Sequence, residues 1–176
     1  MKLSTHQLTL IAVLAAMSAV GRIFFQQVPS GQPTTAIIIL SGFFLGPTQA
    51  MILAALTTYL SNMMMGMGLW TLWQILAWSM IGLIAGLIGK VVKKHAYPVL
   101  ISFGVLSGFI YGLFFALINF MVSGKFWGYY LAGVMFDLNH AISNIIFIVV
   151  LYKPFLLLFK RFNHQQVRTR ADIKKR

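Results

Sequence analysis

The chain contains no cysteine and no glutamate, and Asp137 and Asp172 are the only acidic residues among its 176. The missing thiols exclude disulfides and thiolate metal sites. Paired-carboxylate catalysis would need both aspartates, and Asp172 lies in a strongly basic tail. We therefore expect no catalytic residue and no metal site.

Charged side chains of either sign are scarce, while 59% of the residues are hydrophobic. A soluble domain carries about a quarter charged residues. Long apolar runs recur along this chain, each close to the roughly 20 residues that span a bilayer as a helix. The composition predicts an all-α membrane protein folded as one compact bundle.

The apolar runs predict six transmembrane helices, at residues 5–25, 34–46, 47–65, 70–89, 97–122 and 127–152. The second run is short for a span, so residues 34–65 form either two spans around Gly46-Pro47 or a re-entrant hairpin. We favour two spans. The first run has no clear cleavage site and is expected to be retained as a helix. Residues 1–155 are then one six-helix transmembrane domain, to which the resemblance described below assigns substrate binding, and residues 156–176 are a basic cytoplasmic tail.

The net charge of +12 lies almost entirely in loops and in the C-terminal tail, which indicates membrane topology rather than nucleic acid binding. With both termini in the cytoplasm, all Lys and Arg residues except Arg22 and Lys125 lie on the inner side. The positive-inside rule therefore predicts cytoplasmic N- and C-termini.

Small residues mark three predicted helix contacts. The first helix carries two overlapping pairs of alanines four residues apart, which pack either inside this protein or against a partner chain: Ala12, Ala15, Ala16 and Ala19. Residues 104–112 contain two successive GxxxG units, which favour tight packing against a neighbouring helix. The segment 62–89, around which we expect the chain to be organised, combines a ligand-facing start with a glycine-rich end that holds another helix.

The predicted topology collects distinctive side chains at the outer face, where we expect a pocket. Trp73 and Gln74 lie one turn deeper than Trp70, on the same helix face. The methionines of the loop 62–68 can adapt to an apolar ligand, although a methionine-rich interfacial loop without a ligand explains them equally, and an aromatic belt explains the tryptophans. The candidate pocket residues are Arg22, Gln32, Asn62, Met65, Met67, Trp70, Trp73, Gln74 and Asn119.

The run DLNHAISN in the sixth helix places Asp137, His140 and Asn144 on one face. Such side chains must face the bundle interior, because exposing them to lipid is costly. They are candidate substrate-binding residues, with interhelical polar packing as the alternative. Arg22 is one possible counter-charge for Asp137.

Taken together, these segments resemble the S component of energy-coupling factor (ECF) vitamin transporters. The resemblance rests on the Ala-xxx-Ala first helix, GFFLGPTQAMILAALTTYLSN, GLWTLWQILAWSMIGLIAGL and DLNHAISN. It covers about residues 5–152, and its most specific part, residues 42–89, is most similar to the cobalamin-specific S components.

The resemblance implies a multi-pass protein of the bacterial cell membrane that binds a vitamin at its outer face. It implies docking through Ala12 and Ala16, with Ala15 and Ala19 as further candidates, onto a transmembrane coupling protein (EcfT-type) driven by two ATPase subunits (EcfA-type). The chain would not be an enzyme, and no cofactor would be permanently bound. The absence of a GxxxxGK[ST] loop agrees with this.

The outer-face residues favour cobalamin as the transported ligand. A small anionic vitamin would call for a basic cluster, and only Arg22 and Lys125 are available there. Methionine, tryptophan and amide side chains suit a large ligand with many neutral polar groups, and His140 is expected to be structural. Riboflavin or another vitamin is the alternative ligand. A proton-coupled secondary transporter using Asp137 and His140 is the alternative function, and an intramembrane enzyme a weaker one.

Overall fold

The computed structural model describes the backbone of residues 3–174 and the side chains of residues 3–162. Every regular element in that part of the chain is an α-helix, which confirms the all-α prediction. The six helices are α1 (Thr5–Phe24), α2 (Thr34–Leu45), α3 (Pro47–Met65), α4 (Trp70–Val91), α5 (Ala96–Ser123) and α6 (Phe126–Lys174).

Local sequence signals set two of the helix boundaries. Ser4 caps α1, since its Oγ accepts from the Gln7 backbone N–H at 3.3 Å while the Gln7 side chain accepts from the Ser4 N–H at 3.0 Å. Gly46 separates α2 from α3 with a φ of 107°, a conformation that suits glycine, and Pro47 occupies the first turn of α3. The Gly-Pro break was predicted and is confirmed.

Helix α2 lies at the centre of the molecule and contacts all five other helices. The side chains of Ala36, Ile37, Ile38, Ile39 and Leu40 are at most 1% exposed, so all sides of the helix are covered. An apolar run of 10–14 residues is typical of a buried core helix. The bundle is therefore organised around α2. The sequence pattern instead predicted residues 62–89 as the centre.

Small residues let the neighbouring backbones approach closely. A Cβ added at Gly42 of α2 would lie 2.7 Å from the Gly82 carbonyl oxygen of α4. On the other side of the bundle, a Cβ at Gly108 of α5 would lie 2.7 Å from the Ala141 nitrogen of α6. The predicted packing through the end of α4 and through the α5 GxxxG units is confirmed.

Four helices are long and apolar enough to cross a membrane: Thr5–Phe24, Trp70–Val91, Ala96–Ser123 and the part Phe126–Phe162 of α6. Helix α2 has 12 residues, about 18 Å, against a hydrocarbon core of about 30 Å. Helix α3 has a comparable length to a span but is interrupted by polar residues and lies outside this group. By length and composition, the described part of the chain therefore has four candidate spans, and the six transmembrane helices stay a prediction.

The bundle extends beyond the predicted boundary at residue 155. Helix α6 continues without a break through that position. Phe159 is 1% exposed and stacks on Phe44 with ring centroids 5.1 Å apart. The start of the predicted tail is thus part of the packed core, and the side chains after residue 162 lie outside the described residues.

Candidate substrate-binding site

A cavity of about 390 Å³ lies at one end of the bundle, and we call it the loop-end cavity. The loop between α1 and α2, the first turns of α4 and α6 and the second half of α5 meet there. It is lined by Ser30, Gln74, Tyr111, Gly112, Phe115, Tyr129, Tyr130, Ala132, Gly133, Phe136, Asp137 and His140.

The cavity wall is mainly aromatic. Tyr111 and Phe115 are one turn apart on α5, with ring centroids 5.0 Å apart, and three further rings come from α6. Rings in such numbers can stack on or edge against a planar ligand. Gln74, Asp137 and His140 are the strongly polar groups in the wall, so the cavity suits a flat ligand with few polar anchors.

Behind the wall, Arg22 organises a buried polar network. Its Nη1 donates to Ser61 Oγ and to Asn62 Oδ1, both at 2.6 Å. Asn62 Nδ2 then donates to Thr71 Oγ1 at 2.9 Å and to Gln74 Oε1 at 2.8 Å. The network joins the ends of α1 and α3 to the start of α4, and it ends at a residue of the cavity wall.

A second chain of hydrogen bonds reaches the wall through α2. Trp78 Nε1 donates to Thr35 Oγ1 at 2.9 Å, and the same oxygen lies 2.7 Å from His140 Nε2. The Arg22 guanidinium lies 4.9 Å from the Trp78 ring centroid, within cation–π range, so the two networks touch.

Asp137 is buried in the cavity wall, 6% exposed. Gly112 makes room for its carboxyl group, because a Cβ at that position would overlap the carboxylate atoms. Arg22 is engaged with Ser61, Asn62 and Trp78 instead of Asp137. The suggested Arg22–Asp137 ion pair is therefore absent from the part of the chain that the structure describes.

Three predicted pocket residues line the cavity: Gln74, Asp137 and His140. Arg22 and Asn62 lie one layer behind it, and Asn144 donates to the Gly104 carbonyl oxygen at 2.9 Å, a contact between α5 and α6. The other predicted residues are not in the wall: Gln32, Met65, Met67, Trp70, Trp73 and Asn119. Met65, Met67 and Trp70 are exposed on the surface of the chain.

The four alanines of α1 divide between two faces. Ala15 and Ala19 are buried against the rest of the bundle. Ala12 and Ala16 are exposed and remain available to another protein. Ala15 and Ala19 thus pack inside the protein and offer no free docking surface, while docking through Ala12 and Ala16 stays a prediction.

Reasoning from the sequence missed several aromatic wall residues, namely Tyr111, Phe115, Tyr130 and Phe136. Tyr129, Gly133, Phe136, Asp137 and His140 follow one another at i, i+4, i+7, i+8 and i+11, the spacing of one helix face. Extending the DLNHAISN face toward the N-terminus of α6 would have found Gly133 and Phe136, but it gives no signal for Tyr111 and Phe115 of α5.

Comparison with known proteins decides the family. The chain matches the family model "ECF-type riboflavin transporter, S component" over residues 2–161. The chain belongs to this S component family. No curated protein and no solved structure matches it.

Membership confirms the resemblance to S components, although the family model carries the name of riboflavin and gives no support to cobalamin specificity. S components of ECF transporters are substrate-binding membrane proteins and not enzymes. Together with the four long apolar helices, membership identifies a membrane protein that serves transport.

Proposed function

We propose that this S component captures riboflavin in the loop-end cavity and delivers it to an ATP-driven coupling module. The observation that carries the proposal is the cavity itself, whose wall contains five Phe and Tyr rings and three strongly polar side chains. Riboflavin combines a flat tricyclic ring with a polar edge and a hydroxylated chain. The rings of the wall can stack on the tricycle, and the polar groups can bond to its edge.

The cavity volume favours riboflavin over cobalamin. About 390 Å³ is near the lower end of the ~300–1,000 Å³ typical of pockets for drug-sized ligands. A corrinoid is several times larger than riboflavin and would need a much wider opening. The methionines that suggested a large apolar ligand lie on the surface and not in the wall.

For the topology, we propose cytoplasmic N- and C-termini and a cavity open to the outer face. The positive-inside rule supports this, since Lys90, Lys93 and Lys94 then lie inside. In this arrangement α1, α4, α5 and α6 cross the bilayer, and α2 and α3 form a hairpin that enters from the outer face and returns to it. The protein would be a multi-pass protein of the bacterial cell membrane.

For the partners, we propose a transmembrane coupling protein that docks on the exposed side of α1. Ala12 and Ala16 form a small-residue surface there, which allows a second helix to approach closely. ATP hydrolysis would take place in two separate ATPase subunits.

The test is calorimetry of the purified full chain in detergent with riboflavin, cobalamin, cobinamide, folate and pantothenate. Saturable binding of riboflavin alone is the expected result. Binding of cobalamin and cobinamide but not of riboflavin would contradict riboflavin as the substrate and would favour cobalamin. Binding of none of the five would contradict the proposal as a whole.

A further inference from the structure

Two polar groups of the cavity wall are held from behind by groups that can only donate hydrogen bonds. A guanidinium and an indole N–H have no acceptor capacity. Arg22 begins the chain that ends at Gln74, and Trp78 begins the chain that ends at His140. The fixed donor in each chain sets which atom of Asn62 or of Thr35 accepts the first hydrogen bond.

In the first chain, Asn62 must turn its carbonyl oxygen toward Arg22, because the flipped amide would place its N–H groups against the N–H groups of the guanidinium. The Asn62 amide nitrogen then donates to Gln74 Oε1. The Gln74 carbonyl oxygen is thereby occupied behind the wall. Its amide nitrogen, which carries two N–H groups, is left for the cavity and for the neighbouring Tyr111 hydroxyl.

In the second chain, Thr35 Oγ1 accepts from the Trp78 indole. The Thr35 hydroxyl has one hydrogen to donate, and among the described residues the acceptor within reach is His140 Nε2, at 2.7 Å. The buried Thr35 hydrogen thus has a partner only when His140 Nε2 accepts it, which places the proton of the neutral ring on Nδ1. His140 lines the cavity, and with Nε2 engaged by Thr35 the Nδ1–H is the hydrogen that the ring has left for a ligand.

The cavity thus presents two fixed donors, Gln74 Nε2 and His140 Nδ1. Asp137 adds carboxyl oxygens, which accept hydrogen bonds in either protonation state. Donors and an acceptor in one wall are complementary to a ligand edge in which two carbonyl oxygens flank an N–H group. A cyclic imide has such an edge, and the pyrimidine ring of riboflavin ends in one.

We propose that Arg22 and Trp78 are positioning residues that act through Asn62 and Thr35 to fix Gln74 and His140 as hydrogen-bond donors, so that the cavity selects a ligand with a cyclic imide edge. The ligand part of this inference rests on the proposed function. The hydrogen-bond directions do not, and they are tested separately below.

The first test reverses the polarity of Gln74 from outside the cavity. In Asn62→Asp, the new carboxylate still accepts from Arg22 but has no N–H for Gln74. The Gln74 side chain must then donate to it and turn its carbonyl oxygen toward the ligand. Riboflavin fluorescence titration of the purified full chain should show about tenfold weaker binding, with no loss of thermal stability.

The matched comparison is the same change in a Gln74→Ala background, where it should have no further effect on riboflavin affinity. An equal loss in both backgrounds would show that Asn62 does not act through Gln74 and would overturn the first chain. Riboflavin methylated at the imide nitrogen should bind the unmodified chain at least about tenfold more weakly. Equal affinity for the methylated ligand would overturn the imide assignment.

The second test needs no ligand. Nitrogen-15 NMR of the full chain, with the His140 signals assigned from a His140→Gln variant, should show the Nδ1–H tautomer. Thr35→Val should shift the ring toward the Nε2–H form, and Thr35→Ser should retain the original signals. Thr58→Val is the control, because the buried Thr58 hydroxyl donates to Ala54 O in its own helix.

An Nε2–H tautomer in the unmodified chain would overturn the second hydrogen-bond chain, whatever the ligand. Failure of the unmodified chain to bind riboflavin would instead contradict the proposed function. The two failures are therefore distinguishable.

Discussion

Asp137 carries the one described carboxylate side chain, and burial in the cavity wall removes it from water without supplying a cation. Gly112 faces it across the α5–α6 contact. A buried carboxylate without a charged partner costs free energy, and in membrane proteins such a group commonly serves function. At the scale of single residues, Asp137 is thus kept at the expense of stability and is placed where a ligand can reach it.

Replacing Asp137 separates these two roles. Asp137→Asn should raise the midpoint of thermal unfolding in detergent by a few degrees, since about 1 kcal/mol corresponds to roughly 2–4 °C in a chain of this size. Asp137→Leu, which offers no acceptor, should abolish saturable riboflavin binding. A lower midpoint for Asp137→Asn would show that the carboxylate is stabilised by a partner and would contradict this account.

Reasoning from the sequence singled out three polar residues that line the cavity and missed most of the aromatic ones. Gln74, Asp137 and His140 stand out because polar groups are costly in an apolar helix, so few of them are present. Tyr111 and Phe115 do not stand out in a chain with 6 Tyr and 15 Phe, since residue type alone cannot separate a cavity wall from a lipid-facing surface. Tertiary contacts make that distinction.

At the scale of helices, the boundaries were predictable and the centre of the bundle was not. Gly46-Pro47 breaks the chain for reasons of backbone geometry that the sequence shows directly. Helix α2 is apolar on every side, so it has no periodicity from which a buried face could be inferred. Its central position is visible only in the tertiary contacts, in which five helices cover it.

Helix α1 shows how one motif serves two faces, and a pair of neighbouring substitutions tests this. Ala16→Trp, on the exposed face, should abolish riboflavin uptake in cells that carry the coupling subunits and leave binding by the purified chain unchanged. Ala15 is 0% exposed, so Ala15→Trp should destabilise the purified chain by about 1–3 kcal/mol or more through overpacking. Equal losses of binding for both variants would contradict the division of faces.

At the scale of the whole molecule, the loop-end cavity and the Lys90–Lys94 loop lie at opposite ends of α4. Transport into the cell requires the cavity to face outward when it captures its ligand. The distribution of basic residues supports that orientation. The position of the cavity within the bundle thus agrees with the proposed topology.

The absence of cysteine makes the topology directly measurable. Single variants Lys125→Cys and Lys94→Cys each introduce the chain's one thiol, at exposed positions at opposite ends of α5. A membrane-impermeant thiol reagent should label Lys125→Cys in intact cells. It should label Lys94→Cys only after the cells have been permeabilised. The opposite pattern would invert the proposed topology and place the cavity inside.

The central claim is that riboflavin binds in the loop-end cavity, and two glycines of α6 allow a direct measurement. A Cβ at Gly133 or at Gly128 would meet no atom within 4 Å, but Gly133 lines the cavity and Gly128 does not. Riboflavin fluorescence titration of the purified Gly133→Trp and Gly128→Trp variants compares a filled cavity with a matched surface change. The account predicts loss of saturable binding for Gly133→Trp and unchanged affinity for Gly128→Trp. Unchanged affinity in Gly133→Trp would contradict it.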